Sequence, residues 1–282
     1  MAALIWGISF VAQSVGVEHV GAFTFMFSRS FLGGVFLLIV IFIRDKAAGG
    51  KKKEDKKQLY LGGISCGVAL FAAGILQQLG LMRSSVGKVG FITALYILIV
   101  PFLGIFLGRM IQKKIWISVG IAALGMYLLC VTEGFSIALG DILAFFCAIG
   151  FAIHILIIDH FTDKVDGVKM SCIQFFVCAA CHGVGMLILE EPSLQAIKIA
   201  WLPIFYAGVF SYGIAHTLQI VAQDGTDPTV ASLLLSLESV FAALSGWLLL
   251  NEILTLKEFC GCALVFVAII LAQLPGKKPE HE

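Results

Sequence analysis

The sequence predicts an all-α polytopic membrane protein, with ten transmembrane helices arranged as two inverted five-helix repeats. Three observations predict it. First, 60% of the 282 residues are hydrophobic and only 13% are charged, against roughly 45–50% and 25% in a soluble chain. A single globular core could not bury so much apolar surface, which excludes a water-soluble enzyme. Second, the apolar residues fall in runs close to the ~20 residues that a helix needs to cross a bilayer. In lipid a helix satisfies its own backbone, so it is the natural conformation for such runs. Third, the cationic residues sort to alternate sides of those runs. With the N-terminus in the cytoplasm, the inside carries Arg44, Lys46, Lys51, Lys52, Lys53, Lys56, Lys57, Arg109, Lys113, Lys114, Lys164, Lys169, Lys277 and Lys278. The outside carries only Arg83, Lys88, Lys198 and Lys257. That asymmetry places both termini inside. The net charge of +1 gives no global basic field, so no nucleic-acid partner is expected.

Helices are expected over residues 2–17, 22–43, 58–81, 87–108 and 115–131, then over 137–158, 169–189, 200–222, 228–250 and 255–274. Segment 1 starts at Ala2 without a basic leader or a cleavage site, so no signal peptide is expected. Segment 2 carries the intramembrane Arg29. Between segments 2 and 3 lies the one long connection, with Gly49-Gly50 and Lys51-Lys52-Lys53. It reads as a solvated topology anchor, or as a headgroup or partner site. Segment 3 contains the small-residue spacing Gly63–Gly67, which serves packing within one chain or between copies in a homo-oligomer. Segment 4 places Gly87, Gly90, Ala94, Pro101, Gly104 and Gly108 at near-helical spacing, a packing face. Segment 5 opens on Trp116-Ile117-Ser118, and segment 6 has Asp141 and Asp159 at opposite ends. In segment 7, Cys178-Ala179-Ala180-Cys181-His182 matches a haem-attachment pattern, but mid-helix it leaves no room for the macrocycle. The eight cysteines lie in or beside apolar runs, where Cys behaves as a small hydrophobe and not as a disulfide framework.

Segment 8 carries Tyr212, His216, Gln219 and Gln223 at spacings of four, three and four, which is one helix face. A polar stripe toward lipid is costly, so it points inward, either lining a cavity or bonding between helices. Segment 9 has a small face of Ser232, Ser236, Ser239, Ala243 and Gly246, together with Glu238. Segment 10 opens on Phe259-Cys260-Gly261.

The halves align at a shift of about 143 residues: Gly7 falls on Gly150, Leu76-Gln77 on Leu218-Gln219, and Trp116–Ser118 on Phe259–Gly261. Five crossings per half is an odd number, so the second half inserts upside down. The division is 1–134 for the first repeat, 135–276 for the second and 277–282 for a short cytoplasmic tail. Inverted repeats are the architecture of secondary transporters, whose substrate site lies near the midplane between the halves.

The candidate cavity residues are Trp6, Ser9 and Gln13 in segment 1, Gln77 in segment 3, Tyr96 in segment 4, His154 in segment 6, and Tyr212, His216 and Gln219 in segment 8. Arg29 and Glu238 are isolated charges at bilayer depth, where each costs about 2.5–3.5 kcal/mol on insertion scales. Either they pair, or each faces a wet cavity. They are then an ion pair or hydrogen-bonded stabilisers, or Glu238 takes up a proton during the cycle while Arg29 attracts a substrate carboxylate. No metal site and no cofactor is expected.

Several stretches carry a family resemblance. They are Trp6-Gly7-Ile8-Ser9-Phe10, Phe27-Ser28-Arg29-Ser30-Phe31, Gly87-Lys88-Val89-Gly90-Phe91 running on through Tyr96 to Pro101, and Trp247 through Glu252 to Gly261. In order and spacing they resemble the EamA type of the drug/metabolite transporter superfamily, over essentially the whole chain. The chain departs from the pattern at Ser239, where a proline usually stands shortly after the Ser-Leu-Glu stretch, and at Ala268, where a glycine usually recurs. The resemblance implies ten helices in two EamA repeats and transport of small metabolites, often export. The Gly-Lys-Val-Gly-Phe stretch is similar to that of amino-acid exporters.

The expected function is therefore secondary active transport of a small organic metabolite by alternating access, in a prokaryotic plasma membrane, with a proton as candidate coupling ion. The alternatives are an intramembrane enzyme or a channel. Paired aspartates, a His-Glu-x-x-His helix, a Ser with His and a Walker loop are all missing from the sequence, and no selectivity filter is visible.

Overall fold

A computed structural model describes residues 1–47, 55–84, 86–130, 138–249 and 255–274. The Lys51–Lys53 run, residues 250–254 of the segment 9–10 junction and the 277–282 tail lie outside the described residues. All the regular secondary structure among the described residues is helical. Segments 1 to 3 are α1 (Ala2–Gly16), α2 (Ala22–Ala47) and α3 (Lys56–Leu81). Segment 4 is divided into α4 (Val86–Ala94) and α5 (Tyr96–Phe106). Then follow α6 (Lys113–Cys130), α7 (Leu139–Phe161) and α8 (Gly167–Leu189). A short helix absent from the sequence reading, α9 (Leu194–Ile199), precedes segment 8. Segment 8 is α10 (Trp201–Phe205), a π-helix (Tyr206–His216) and α11 (Thr217–Gln223). Segment 9 is α12 (Pro228–Leu235) and α13 (Leu237–Leu249), and segment 10 is α14 (Leu256–Gln273).

Six spans, residues 22–47, 56–81, 88–106, 139–161, 167–189 and 201–223, are long and apolar enough to cross a membrane, and shorter apolar helices accompany them. The packing has the inside-out polarity that lipid demands. Phe106, Leu187 and Ile188 are 86%, 73% and 73% exposed, while Gln78, Gln174 and His182 are fully buried. In water that arrangement would be unstable, whereas in a bilayer each group meets its preferred surroundings.

Three segments expected as continuous helices are interrupted, each for a local reason. Around Leu95 the ladder tightens to i→i−3 bonds: Leu95 N–H donates to Ile92 and Leu98 N–H to Leu95. Pro101, with no N–H, omits a further rung in α5. In segment 9 the Ser232 and Ser236 hydroxyls donate back to the carbonyls of Thr229 and Leu233, at 2.8 and 2.7 Å. Such back-bonding bends helices, and Ser239 N–H reaches Ser236 in another i→i−3 bond. Segment 8 widens into the π-helix where its glycines meet α2: a Cβ on Gly208 would lie 3.1 Å from the Arg29 carbonyl oxygen. Gly108, expected in the packing face of segment 4, instead ends α5 at φ +78°, a left-handed conformation that glycine adopts at no steric cost.

The helices pack as α1 on α13, α7 on α3, α4 and α5, α2 on α8, and α6 on α14. The Gly63–Gly67 spacing is used inside the chain, where Cβ atoms there would meet Ile173 and Val177 of α8 at 2.6 and 2.7 Å. At Gly7 the α1–α13 approach is equally close, since a Cβ would come within 2.6 Å of Phe241 Cβ and 2.7 Å of the Ala242 nitrogen. Backbone cannot yield cheaply there. Gly7→Val is expected to cost ~1–3 kcal/mol through overpacking, read as a lowered Tm of the purified protein.

Ion pairs tie the helix ends. Glu190, just beyond α8, accepts from Phe23 N–H and Thr24 N–H at 2.8 Å each, capping α2. At the other end of the same helix pair, Arg44 lies 2.8 Å from Asp166, which also caps α8 through Lys169 N–H. Lys88–Asp141 (2.6 Å) and Arg109–Asp159 fasten the two ends of segment 4 to α7. Partial burial opposes the charge of Asp166, but the Arg44 and Lys169 N–H hydrogen bonds outweigh it and hold the carboxyl below its ordinary range. A depressed carboxyl stabilises the fold above its unfolded-state pKa, and that contribution is lost as pH falls through the folded value. Asp166→Asn keeps the cap and removes the charge. At pH 7 it is expected to cost about 1 kcal/mol, given the partial exposure, and near pH 3 the Tm difference from wild type should shrink.

Candidate functional site

Segments 1, 2, 3, 4, 6, 8 and 9 converge on a cavity of about 50 Å³. Ten of the eleven residues singled out in the sequence line it: Trp6, Ser9, Gln13, Arg29, Gln77, Tyr96, Tyr212, His216, Gln219 and Glu238. The eleventh, His154, is buried beside it. Its Nε2 is 3.0 Å from Gln174 Oε1 and its ring is 6.4 Å from that of His216. Gln223, the last member of the segment 8 stripe, is also buried outside the cavity, where its Nε2 donates to the Ile155 carbonyl at 2.7 Å.

Arg29 is 4% exposed. Its Nη1 donates to Gln13 Oε1 at 2.6 Å and its Nη2 to Ser211 Oγ at 3.4 Å. The guanidinium lies 4.0 Å from the Tyr212 ring centroid, an attraction between cation and ring face worth up to ~2 kcal/mol when desolvated. All of these partners are neutral. Among the described residues no carboxylate lies within ion-pair distance of Arg29, and its Nε has no partner. Glu238, 6% exposed, accepts from the Tyr96 hydroxyl at 3.0 Å. Of the two arrangements open in the sequence, the direct pair is therefore not formed, and both charges line one cavity.

The aromatic wall is a connected group. Trp6 Nε1–H lies 3.2 Å from the Ser211 carbonyl oxygen and 3.1 Å from His216 Nδ1, and the His216 ring stacks edge-on to Trp6 at 4.6 Å. His216 Nδ1 is itself 2.9 Å from that carbonyl. Ser211 was not singled out in the sequence. An α-helix turns it about 100° from Tyr212, out of the stripe. The π-helix, bonded i→i+5, brings Ser211 and His216, five residues apart, to one side. Phe10, marked in the sequence only as the end of the Trp6–Phe10 stretch, and Met26, which carried no signal beyond being apolar, also line the cavity. The interruptions at Leu95 and Ser236 sit beside Tyr96 and Glu238, so the hydrogen bond between those residues joins the two broken helices where each is irregular.

The profile of the EamA-like transporter family matches residues 1–131 and 138–274. The chain belongs to the EamA-like transporter family. An uncharacterized transporter of Archaeoglobus fulgidus is 29% identical over 97% of this chain and 84% of that protein. The uncharacterized transporter YoaV of Bacillus subtilis is 22% identical over 95% of the chain and 92% of its own length. A solved crystal structure with 18% identity superposes at a TM-score of 0.75, covering 97% of this chain and 96% of that one, and so shares the fold. This EamA-like protein is thus a multi-pass integral membrane protein of the transporter class and not an enzyme.

Proposed function

We propose that the chain is a secondary active transporter that exports a small organic acid, amino acids and related compounds among them. Arg29 binds the substrate carboxylate and Glu238 carries the coupled proton. The observation that supports this most is the buried guanidinium of Arg29, neutrally coordinated and facing a cavity it shares with Glu238. A buried cation with no counter-charge is costly, and a substrate carboxylate bound in the cavity offsets that cost. Trp6, Tyr212 and His216 supply an aromatic wall of the kind that orients organic ligands, and Ser9, Gln13, Gln77 and Gln219 supply polar groups around it.

The working architecture is two inverted five-helix repeats, residues 1–134 and 135–276, crossing the membrane ten times with both termini in the cytoplasm of a prokaryotic cell. Two features support it. The interruptions at Leu95 and Ser236 are 141 residues apart in segments 4 and 9, which such repeats make equivalent. The packing of α1 on α13 has its counterpart in α7 on α4 and α5, and α2–α8 and α6–α14 exchange into themselves. Alternating access then moves segments 3, 4 and 6 against segments 1, 8 and 9, while the α2–α8 pair, clamped at both ends, stays as frame. At about 50 Å³ the cavity is far smaller than the roughly 300–1,000 Å³ of a typical ligand pocket, so substrate enters when those groups part.

The test is flux in proteoliposomes containing the full chain. With an imposed pH gradient and no ATP, labelled amino and organic acids should move with saturation and mutual competition. Linear, non-competing flux would indicate a pore, and no flux of any acid from correctly inserted protein would overturn the assignment.

A further inference from the structure

A second recess lies on the lipid-facing side, away from the central cavity, between α3 and α5 over the surface of α7. Its volume is about 490 Å³. Its walls are Leu103, Phe106 and Leu107 of segment 4 and Ile153, Leu156 and Ile157 of α7, with Ser65 of α3 at one side. Phe106 and Leu107 are 86% and 65% exposed, so the recess is an open apolar groove.

One end of the groove is polar. His160, in the last turn of α7, lines it, and Lys164 Nζ sits 3.2 Å from His160 Nε2 just past the helix end. Both are exposed. Lys57 lies eight residues, just over two turns, before Ser65 in α3 and toward the same end of the molecule, and it too is exposed. The acids nearby are mostly engaged: Asp159 pairs with Arg109, Asp166 with Arg44, and Asp55 caps α3. Asp163 is the exposed acid left in the turn. A histidine and a lysine therefore stand at the end of a groove that is otherwise mostly hydrocarbon, with Lys57 on the neighbouring helix toward the same end.

We propose that this groove is a binding site for one anionic phospholipid, its acyl chain lying against Phe106, Leu107 and Ile157 and its phosphate held by Lys164, His160 and Lys57. The polarity gradient along the groove is that of the lipid, and basic pockets between membrane helices hold acidic headgroups by this combination. A second protein copy would have to match both the apolar walls and the cationic end, whereas a phospholipid supplies both in one molecule.

The test uses the purified full chain, delipidated in detergent and titrated with dioleoyl-phosphatidylglycerol, with phosphatidylcholine of the same acyl chains, and with inorganic phosphate alone. Phosphatidylglycerol should raise Tm by about 5 °C more than phosphatidylcholine, and native mass spectrometry should retain one such lipid per chain. In the Lys57→Gln/Lys164→Gln double variant the difference between the two lipids should vanish. Ile157→Trp, which fills the groove, should abolish retention of the lipid, and if that variant fails to fold the double variant decides alone. Equal response to both lipids, an equal shift with phosphate alone, or an unaltered double variant would overturn the proposal. So would disulfide-linked dimers formed through Ile153→Cys in place of lipid retention.

Discussion

Arg29→Met is expected to cut substrate transport about 100-fold or more while leaving the protein folded. The first half follows from the chemistry of the bound acid. Hydrogen bonds to a charged group are worth about 1.5–3 kcal/mol each, and losing two of them weakens binding by ~10²-fold or more. The second half follows from the environment of Arg29. Its removal leaves Gln13 Oε1 without its 2.6 Å donor, a cost of about 1–3 kcal/mol, and loses the stacking on Tyr212, up to ~2 kcal/mol, but it also removes a buried cation that costs about 2.5–3.5 kcal/mol. The losses and the gain nearly cancel, so Tm should stay close to that of wild type. Arg29→Lys keeps the charge and loses both the planar fork and the stacking on Tyr212, and it should recover only part of the flux. The measurement is KM and maximal flux in proteoliposomes beside Tm in detergent. A variant with unchanged KM would remove Arg29 from substrate recognition, and a variant that merely unfolds would make it a structural cation.

Most of the helical pattern was legible because hydropathy and backbone satisfaction act on the same runs of residues. The described bounds of α1, α2, α3 and α8 depart from the sequence reading by at most four residues. The interruptions were not legible. Leu95 stands between Ala94 and Tyr96, neither a helix breaker, and the serines of segment 9 read as a packing face or as a polar contact to substrate, not as back-bonding hydroxyls. Their choice depends on which neighbour meets them, and that is tertiary information. The π-helix was hidden for a related reason: a spacing of four, three and four fits an α-helix, and only the contact of Gly208 and Gly213 with α2 makes the wider turn worthwhile. Within the site, polar residues were found by the one property the sequence displays, a cost at bilayer depth. Ser211 escaped because a serine costs little there, and Phe10 and Met26 escaped because apolar cavity walls and lipid-facing surface look alike in one dimension.

Glu238→Gln is expected to abolish the pH dependence of flux and to lower pH-gradient-driven transport at least ~10-fold, with substrate exchange retained. Glutamine has the shape of glutamate, and its Oε1 can still accept from the Tyr96 hydroxyl, so the cavity keeps its geometry. What it cannot do is exchange a proton. The consequence reaches beyond the side chain because Tyr96 and Glu238 stand on different segments, at the interruptions of each. A hydroxyl bonded to a carboxylate is worth about 1.5–3 kcal/mol and one bonded to a neutral carboxyl about 0.5–1.5. Protonation of Glu238 thus loosens the tie between segments 4 and 9 by about 1 kcal/mol, a shift of roughly five-fold between closed and parted arrangements. The glutamine variant is fixed at the loosened end of that range. Tyr96→Phe removes the tie itself and leaves the proton site, so it should retain pH-dependent flux with a lower maximal rate. The two variants separate carrying the proton from transmitting its effect. If Glu238→Gln keeps the pH profile of wild type, Glu238 is a packing residue and the coupling ion binds elsewhere.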